Sequence, residues 1–202
     1  EGGPRISTYE NSTWRAVAGL RGDLGDDFNF DVFAQFSGTE GTRISQRDLN
    51  FDRVQQALYV TTDANGNAVC RDTSGGCVPW NIFERNADGS TAITAGQTDF
   101  IQGIGIVTGE TEQLVFGGTV EGDLTNFGIQ SPFADAGVTG LVGFESRSDK
   151  LSRLADDISK KSGGRGLTGT GGATLPIAGE IEVDEIFMEA SIPVVTGQPW
   201  AE

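Results

Sequence analysis

Residues 27–37 read "DFNFDVFAQFS", with Phe28, Phe30, Val32, Ala34 and Phe36 on one parity and Asn29, Asp31, Phe33 and Gln35 on the other. Alternation of this kind defines a β-strand with one apolar and one polar face. It leaves open which face meets the interior. In a soluble sandwich the phenylalanines point inward. In a membrane barrel they point into lipid, and the aspartate and glutamine line a wet lumen.

The same alternation recurs along the chain. In "TWRAVAGLR" (13–21) Trp14, Ala16, Ala18 and Leu20 share a face opposite Arg15 and Arg21, and the Gly- and Asp-rich 22–26 predicts a hairpin turn into the strand above. "EQLVFGGTVEGD" (112–123) alternates Leu114, Phe116, Gly118 and Val120 with Gln113, Val115, Thr119 and Glu121. "VTGLVGFESRS" (138–148) sets Val138, Val142 and Phe144 against Glu145 and Arg147. "EIEVDEIFMEASIPVV" (180–195) sets Ile186, Met188, Ala190, Ile192 and Val194 against Glu185, Glu189 and Ser191. Ile181 and Val183 have the opposite parity, which predicts a bulge near Asp184 and Glu185.

These readings predict five long strands, at roughly 5–22, 27–38, 110–123, 137–152 and 179–195. Two long connections separate them, roughly 39–109 and 153–178. Within the first, "SQRDLNFDRVQQALYV" allows a short helix through Leu49, Val54 and Leu58. Seventy irregular residues count against an ordinary compact domain and suit an elaborated surface loop. Residues 124–136 form a modest turn with Pro132, and "TGQPW" (196–200) turns again. Short turns alternating with long loops match outer-membrane barrels, whose periplasmic turns are short and outer loops long. This rhythm favours the membrane barrel over the soluble sandwich; the expected fold is all-β, and the resemblance given below implies a fragment of a large antiparallel transmembrane β-barrel.

The chain starts at Glu1, as a mature chain or a fragment would, and has no apolar run of the ~18 residues a membrane helix needs. Its 30 glycines and 12 phenylalanines suit tight turns and pleated strands. A formal charge of −15 argues against a nucleic-acid partner. The absence of histidine removes the commonest general base and metal ligand. No nucleophile–base pair stands out, so no catalytic residue, metal site or cofactor is assigned, and the chain is read as no enzyme.

Cys70 and Cys77, in "VCRDTSGGCVPW", flank a Gly-Gly pair that turns the chain back. A disulfide here fits an oxidising compartment, and loop-closure entropy gives it roughly 2.5 kcal/mol. Two unlinked thiols are the alternative.

The stretch 76–90, "GCVPWNIFERNADGS", extends these patterns to a resemblance. With "TWRAVAGLRGDLGDDFNFDVFAQF" (13–36), "DRVQQAL" (52–58), "EQLVFGGTVEGDL" (112–124) and "GGATLPIAGEIEVDEIFMEASIPVVTGQPW" (171–200), the chain resembles the β-barrel of a proteobacterial TonB-dependent outer-membrane receptor over nearly its whole length. It departs from that pattern at Trp80 and Glu84, where Leu and Gly are usual, and at Ala155, where Pro is frequent. The resemblance implies energy-coupled uptake of a scarce nutrient such as a siderophore, cobalamin or a glycan, at the outer membrane of a Gram-negative bacterium. It implies as partners a plug domain and further barrel strands absent from this sequence, periplasmic TonB acting through that plug, outer-membrane lipid, and a small-molecule ligand. It also implies that residues 149–157 extend a strand into a loop, although "DKLSRLADDISKKSGG" alone would pass for an amphipathic helix.

Under this reading Arg15, Asn29, Asp31, Gln113, Glu121, Glu145, Arg147 and Glu189 face the lumen, as wall residues hydrating one another or as contacts to plug and solute. Trp80, Phe83 and Tyr59 in the long loop are the ligand-binding candidates, or else a small apolar core holding that loop together. "DANGN" (63–67) lacks the terminal acidic ligand of a calcium loop and reads as a turn. "GRGLTGTGGATLP" (164–176) lacks the ending of a phosphate cradle. The other classes are a secreted soluble all-β ligand- or glycan-binding module and a secreted carboxylate-based glycan enzyme.

Overall fold

The structure, a computed structural model, describes residues 2–161, 165–169 and 172–196. The turn expected at 196–200 and part of the glycine-rich 164–176 lie outside those residues. The fold is mostly antiparallel β-sheet. The elements are β1 (Ile6–Leu24), β2 (Phe28–Leu49), α1 (Phe51–Leu58), β3 (Val60–Thr62), β4 (Ala68–Cys70), α2 (Ala95–Ile101), β5 (Gln102–Asp123), β6 (Thr139–Ala155) and β7 (Ile177–Ser191). The long strands pair in the order β1-β2-β5-β6-β7, and β3 pairs with β4 as a separate hairpin. Among the described residues β1 and β7 end the order, so no closed barrel forms.

The chain divides into two compact units. One comprises residues 13–39, 111–151 and 179–202 and holds the strand segments with the clearest alternation. Its faces follow parity. Trp14 meets Phe36 edge-on, with ring centroids 4.8 Å apart. Phe28 covers Gly122, and Val32 and Phe144 close over Gly118. On the other face the Phe33 ring covers Gly117, its Cβ faces Gly19, and Phe187 covers Gly143. A Cβ added at Gly122 or Gly143 would stand 2.2 Å from the covering ring, so glycine is what lets each aromatic lie flat across its neighbour strand. The β1–β2 turn begins at Gly25, whose φ of 75° is the left-handed region that favours glycine.

The second unit comprises residues 1–12, 40–110 and 152–178. Asn50 caps α1, its side-chain oxygen accepting from the backbone N–H of Asp52 at 3.1 Å and of Arg53 at 3.4 Å. Thr94 and Gln97 cap α2 reciprocally. The helices bury Ala57, Phe100 and Ile101 together, with Leu49, Val54, Val78, Trp80 and Ile93 packed around them. Cys70 and Cys77 form a disulfide. The two long connections meet here: the Phe51 N–H donates to Gly166 O at 3.0 Å, and Leu167 lies over Gly103 and Gly105. Asp48, nearly buried, faces Arg5 at 3.1 Å and the backbone of Gly169.

Several expected bounds change. β2 runs to Leu49 and β5 starts at Gln102, so the first connection spans 50–101 rather than 39–109. Residues 38–49 and 102–110 lack an apolar parity because neither face there gains a continuous greasy lining, yet backbone pairing alone carries a ladder on. β7 ends at Ser191 rather than 195, two residues before Pro193, which has no N–H for a ladder. No bulge interrupts it: Lys150 pairs with Glu180 and Gly143 lies under Phe187, the same interval on both strands. Residues 149–155 are strand, as the resemblance implied and the local helical pattern did not.

Candidate functional site

Two places in the molecule have the makings of a functional surface. The first is the pair of faces of the strand unit. On the even parity, Phe28 to Phe36, Leu114 to Gly122, and Ile186 to Ala190 carry apolar side chains or glycine at every position. Many of these side chains are exposed, Phe36 at 44%, Val120 at 42% and Ile186 at 80%. The register sets the bands side by side, because Phe28 lies against Gly122 while Val32 lies against Gly118. Above the band the same face turns polar. Lys150 pairs with Glu180 at 3.2 Å, and Ser148 donates to the same carboxylate at 2.9 Å.

The odd parity is joined by polar contacts. Gln35 donates to Gln113 at 2.9 Å, Gln113 donates to Asp149 at 2.8 Å, and Arg147 pairs with Asp149 at 3.2 Å. Arg21 pairs with Asp31 at 3.3 Å. Of the expected lumen residues, Asp31, Gln113 and Arg147 therefore engage other residues of the same face. Asp149, which carries the centre of the network, was not singled out in the sequence. Its parity with Glu145 and Arg147 was the available signal, obscured because the segment also reads as a helix.

The second place lies in the loop unit. The three aromatic candidates divide between two cavities. Tyr59 lines one of about 610 Å³ with Asp52, Gln55, Gln56, Asp72 and Arg165. Its hydroxyl accepts from Arg71 at 3.1 Å, and the Arg71 guanidinium sits 4.8 Å from its ring centroid. Trp80 and Phe83 line another of about 470 Å³ with Leu58, Val60, Ile82 and Glu84. Leu58 borders both. Trp80 also packs on the helical core, which is the structural role weighed for it, whereas Phe83 is 84% exposed and supports no core. Sequence reading did not take Leu58, Val60, Ile82 or Glu84 as ligand-site residues. They are recruited because the disulfide and the β3–β4 hairpin fold the chain back beside the end of α1.

Electrostatics tie the loops together at Asp52. Lys161 and Arg165 both bond its carboxylate, with Arg165 at 3.1 Å. The Lys161 hydrogen bond, and then that of Arg165, hold it below the ordinary carboxylate range against the opposing effect of burial. Asp63 is also lowered, chiefly by the hydrogen bonds of Asn67, because its carboxylate closes the 63–67 turn on its own N–H groups. Among the described residues no three His, Cys, Asp or Glu side chains come together as a metal site, and no helix is long and apolar enough to cross a membrane, which leaves strands unaddressed.

Comparison of the chain with protein-family models, curated proteins and solved structures returned no match.

Proposed function

We propose that this chain is part of the wall of a TonB-dependent outer-membrane receptor, taking up a scarce nutrient with energy coupled from the inner membrane. The observation that carries the reading is the pairing of an exposed, in-register apolar band with a hydrogen-bonded polar face on the same strands. In water, large exposed apolar patches are a liability. In a bilayer the band meets lipid and the network lines the lumen. The bands Phe28–Phe36 and Leu114–Gly122, about nine residues each, have the length of a tilted crossing. The open edges of β1 and β7 would pair with further strands, since no backbone edge is stable in hydrocarbon. The loops around α1, α2 and the disulfide would face outward, where an oxidising environment permits the bond.

Heat-modifiable migration of the complete protein on a denaturing gel tests this reading. A barrel stays folded and migrates anomalously until boiled. Identical migration before and after boiling, with the protein recovered in the soluble fraction, would instead indicate a secreted all-β module.

A further inference from the structure

We propose that the cavity of Trp80, Phe83 and Glu84 binds an organic cation built on a flat apolar ring. The inference rests on the receptor reading, and names the kind of ligand its loops take. The cavity volume of about 470 Å³ lies within the range of small-molecule sites, roughly 300–1,000 Å³. Leu58, Val60, Ile82 and Trp80 supply apolar wall, Asn81 and Gln97 supply polar wall, and Phe83 joins the lining with 84% of its surface in solvent. A ring entering the cavity would cover that phenyl face and displace water from the apolar part of the wall.

Charge selects among ring-bearing ligands. Among the described residues Glu84 is the one charged residue of the lining, and no Lys or Arg contributes to it. Among the described residues no cation pairs with Glu84. The adjacent Arg85 is turned to Thr91, donating to its hydroxyl at 2.6 Å. An anionic ligand would therefore meet a carboxylate with no compensating group. A cation gains both the carboxylate and the negative faces of the aromatic rings. The neighbouring cavity differs: Asp52 is paired with Arg165 there, Asp72 accepts from the Ser74 N–H, and the Arg71 guanidinium already occupies the Tyr59 ring face.

Three probes with one ring system separate the terms: (2-naphthylmethyl)trimethylammonium, 2-naphthylmethanol and 2-naphthoate. Each is titrated against the complete protein in lipid nanodiscs by saturation-transfer NMR, with empty nanodiscs as the blank. The ammonium probe is expected to bind about tenfold tighter than the alcohol, and the carboxylate weakest of the three. Glu84→Gln should abolish the preference for the cation and leave the alcohol unchanged. Phe83→Ala should weaken cation and alcohol alike. Naphthoate binding as tightly as the cation, or cation affinity unchanged in both variants, overturns the proposal. The receptor reading is judged separately by heat-modifiable migration of the same samples. A heat-modifiable protein without cation preference loses this site alone, and a cation-selective protein that is not heat-modifiable loses the receptor reading and keeps the site.

Discussion

Phe30 and Asp31 are adjacent in the chain and lie on opposite faces of β2, one reaching toward Gly22 and the other paired with Arg21. With single cysteines at 30 and 31 in the complete protein, a water-soluble maleimide should label position 31 and spare position 30 in a membrane. Labelling of 30 alone would mean that the phenylalanine face is not the one shielded by lipid. Glycine is as informative as the aromatics. Gly122→Leu drives a side chain into the Phe28 ring and should destabilise by about 1–3 kcal/mol, the range for overpacking, measured as a lower temperature for loss of the heat-modifiable form. Face polarity at this scale was readable from parity alone. The partner of each glycine was not, because it depends on register between strands that sequence does not display. Trp80, Phe83 and Tyr59 were visible as loop aromatics, but their division between two cavities follows from how the disulfide loop folds.

At the scale of elements, caps decide how the loop unit holds its helices. α1 was legible from the spacing of Val54 and Leu58, whereas Leu49, read with them, ends β2, and the Asn50 cap accounts for where the helix starts. α2 was missed, although Thr94 followed by Gln97 is a capping-box signature; seven residues carry too little periodicity to stand out in a polar loop. Asn50→Ala should cost about 1 kcal/mol of local stability, read as faster amide exchange across α1. Replacing both Cys70 and Cys77 by serine should cost roughly 2.5 kcal/mol from restored loop entropy, seen as increased exchange and proteolysis between residues 60 and 80. The Asp52 bridge has a definite acid dependence. Its carboxyl is depressed in the fold, so the bridge contributes fully above the ordinary aspartate value of 3.8 and is lost as pH falls through the lower folded value. Exchange in α1 should therefore be insensitive to pH between neutral and about 5 beyond the intrinsic base-catalysed rate, and rise below the ordinary value. Asp52→Asn should remove that acid-induced rise; an unchanged acid response would place the sensitive group elsewhere.

At the scale of the whole molecule, the five-stranded order leaves β1 and β7 unpaired on their outer sides, and both carry large exposed apolar residues, among them Leu20 and Met188. The 202-residue chain expressed alone should accordingly associate in water, through its edges and its apolar face. Light scattering at increasing concentration would detect this, and a monodisperse monomer would contradict it. The five strands and their alternation were legible in the sequence because one-sided burial leaves a parity record. Their upper extensions were not, because residues 38–49 pair through the backbone without that record. The interlocked aromatics and glycines have one more consequence, for proofreading. A strand that slides by one residue swaps its faces and is rejected at once. A slide by two keeps every face correct, so polarity offers no resistance to it. Under that slide Phe28 would meet Val120 or Leu124 instead of Gly122, and Phe187 would meet Leu141 or Glu145 instead of Gly143. The notches thus reject the error that alternation tolerates. With cysteines at Asp31 and Thr119, opposite each other in the observed register, crosslinking should be efficient. In a Phe28→Ala, Phe33→Ala background, the pair at 31 and 121 should begin to crosslink as well.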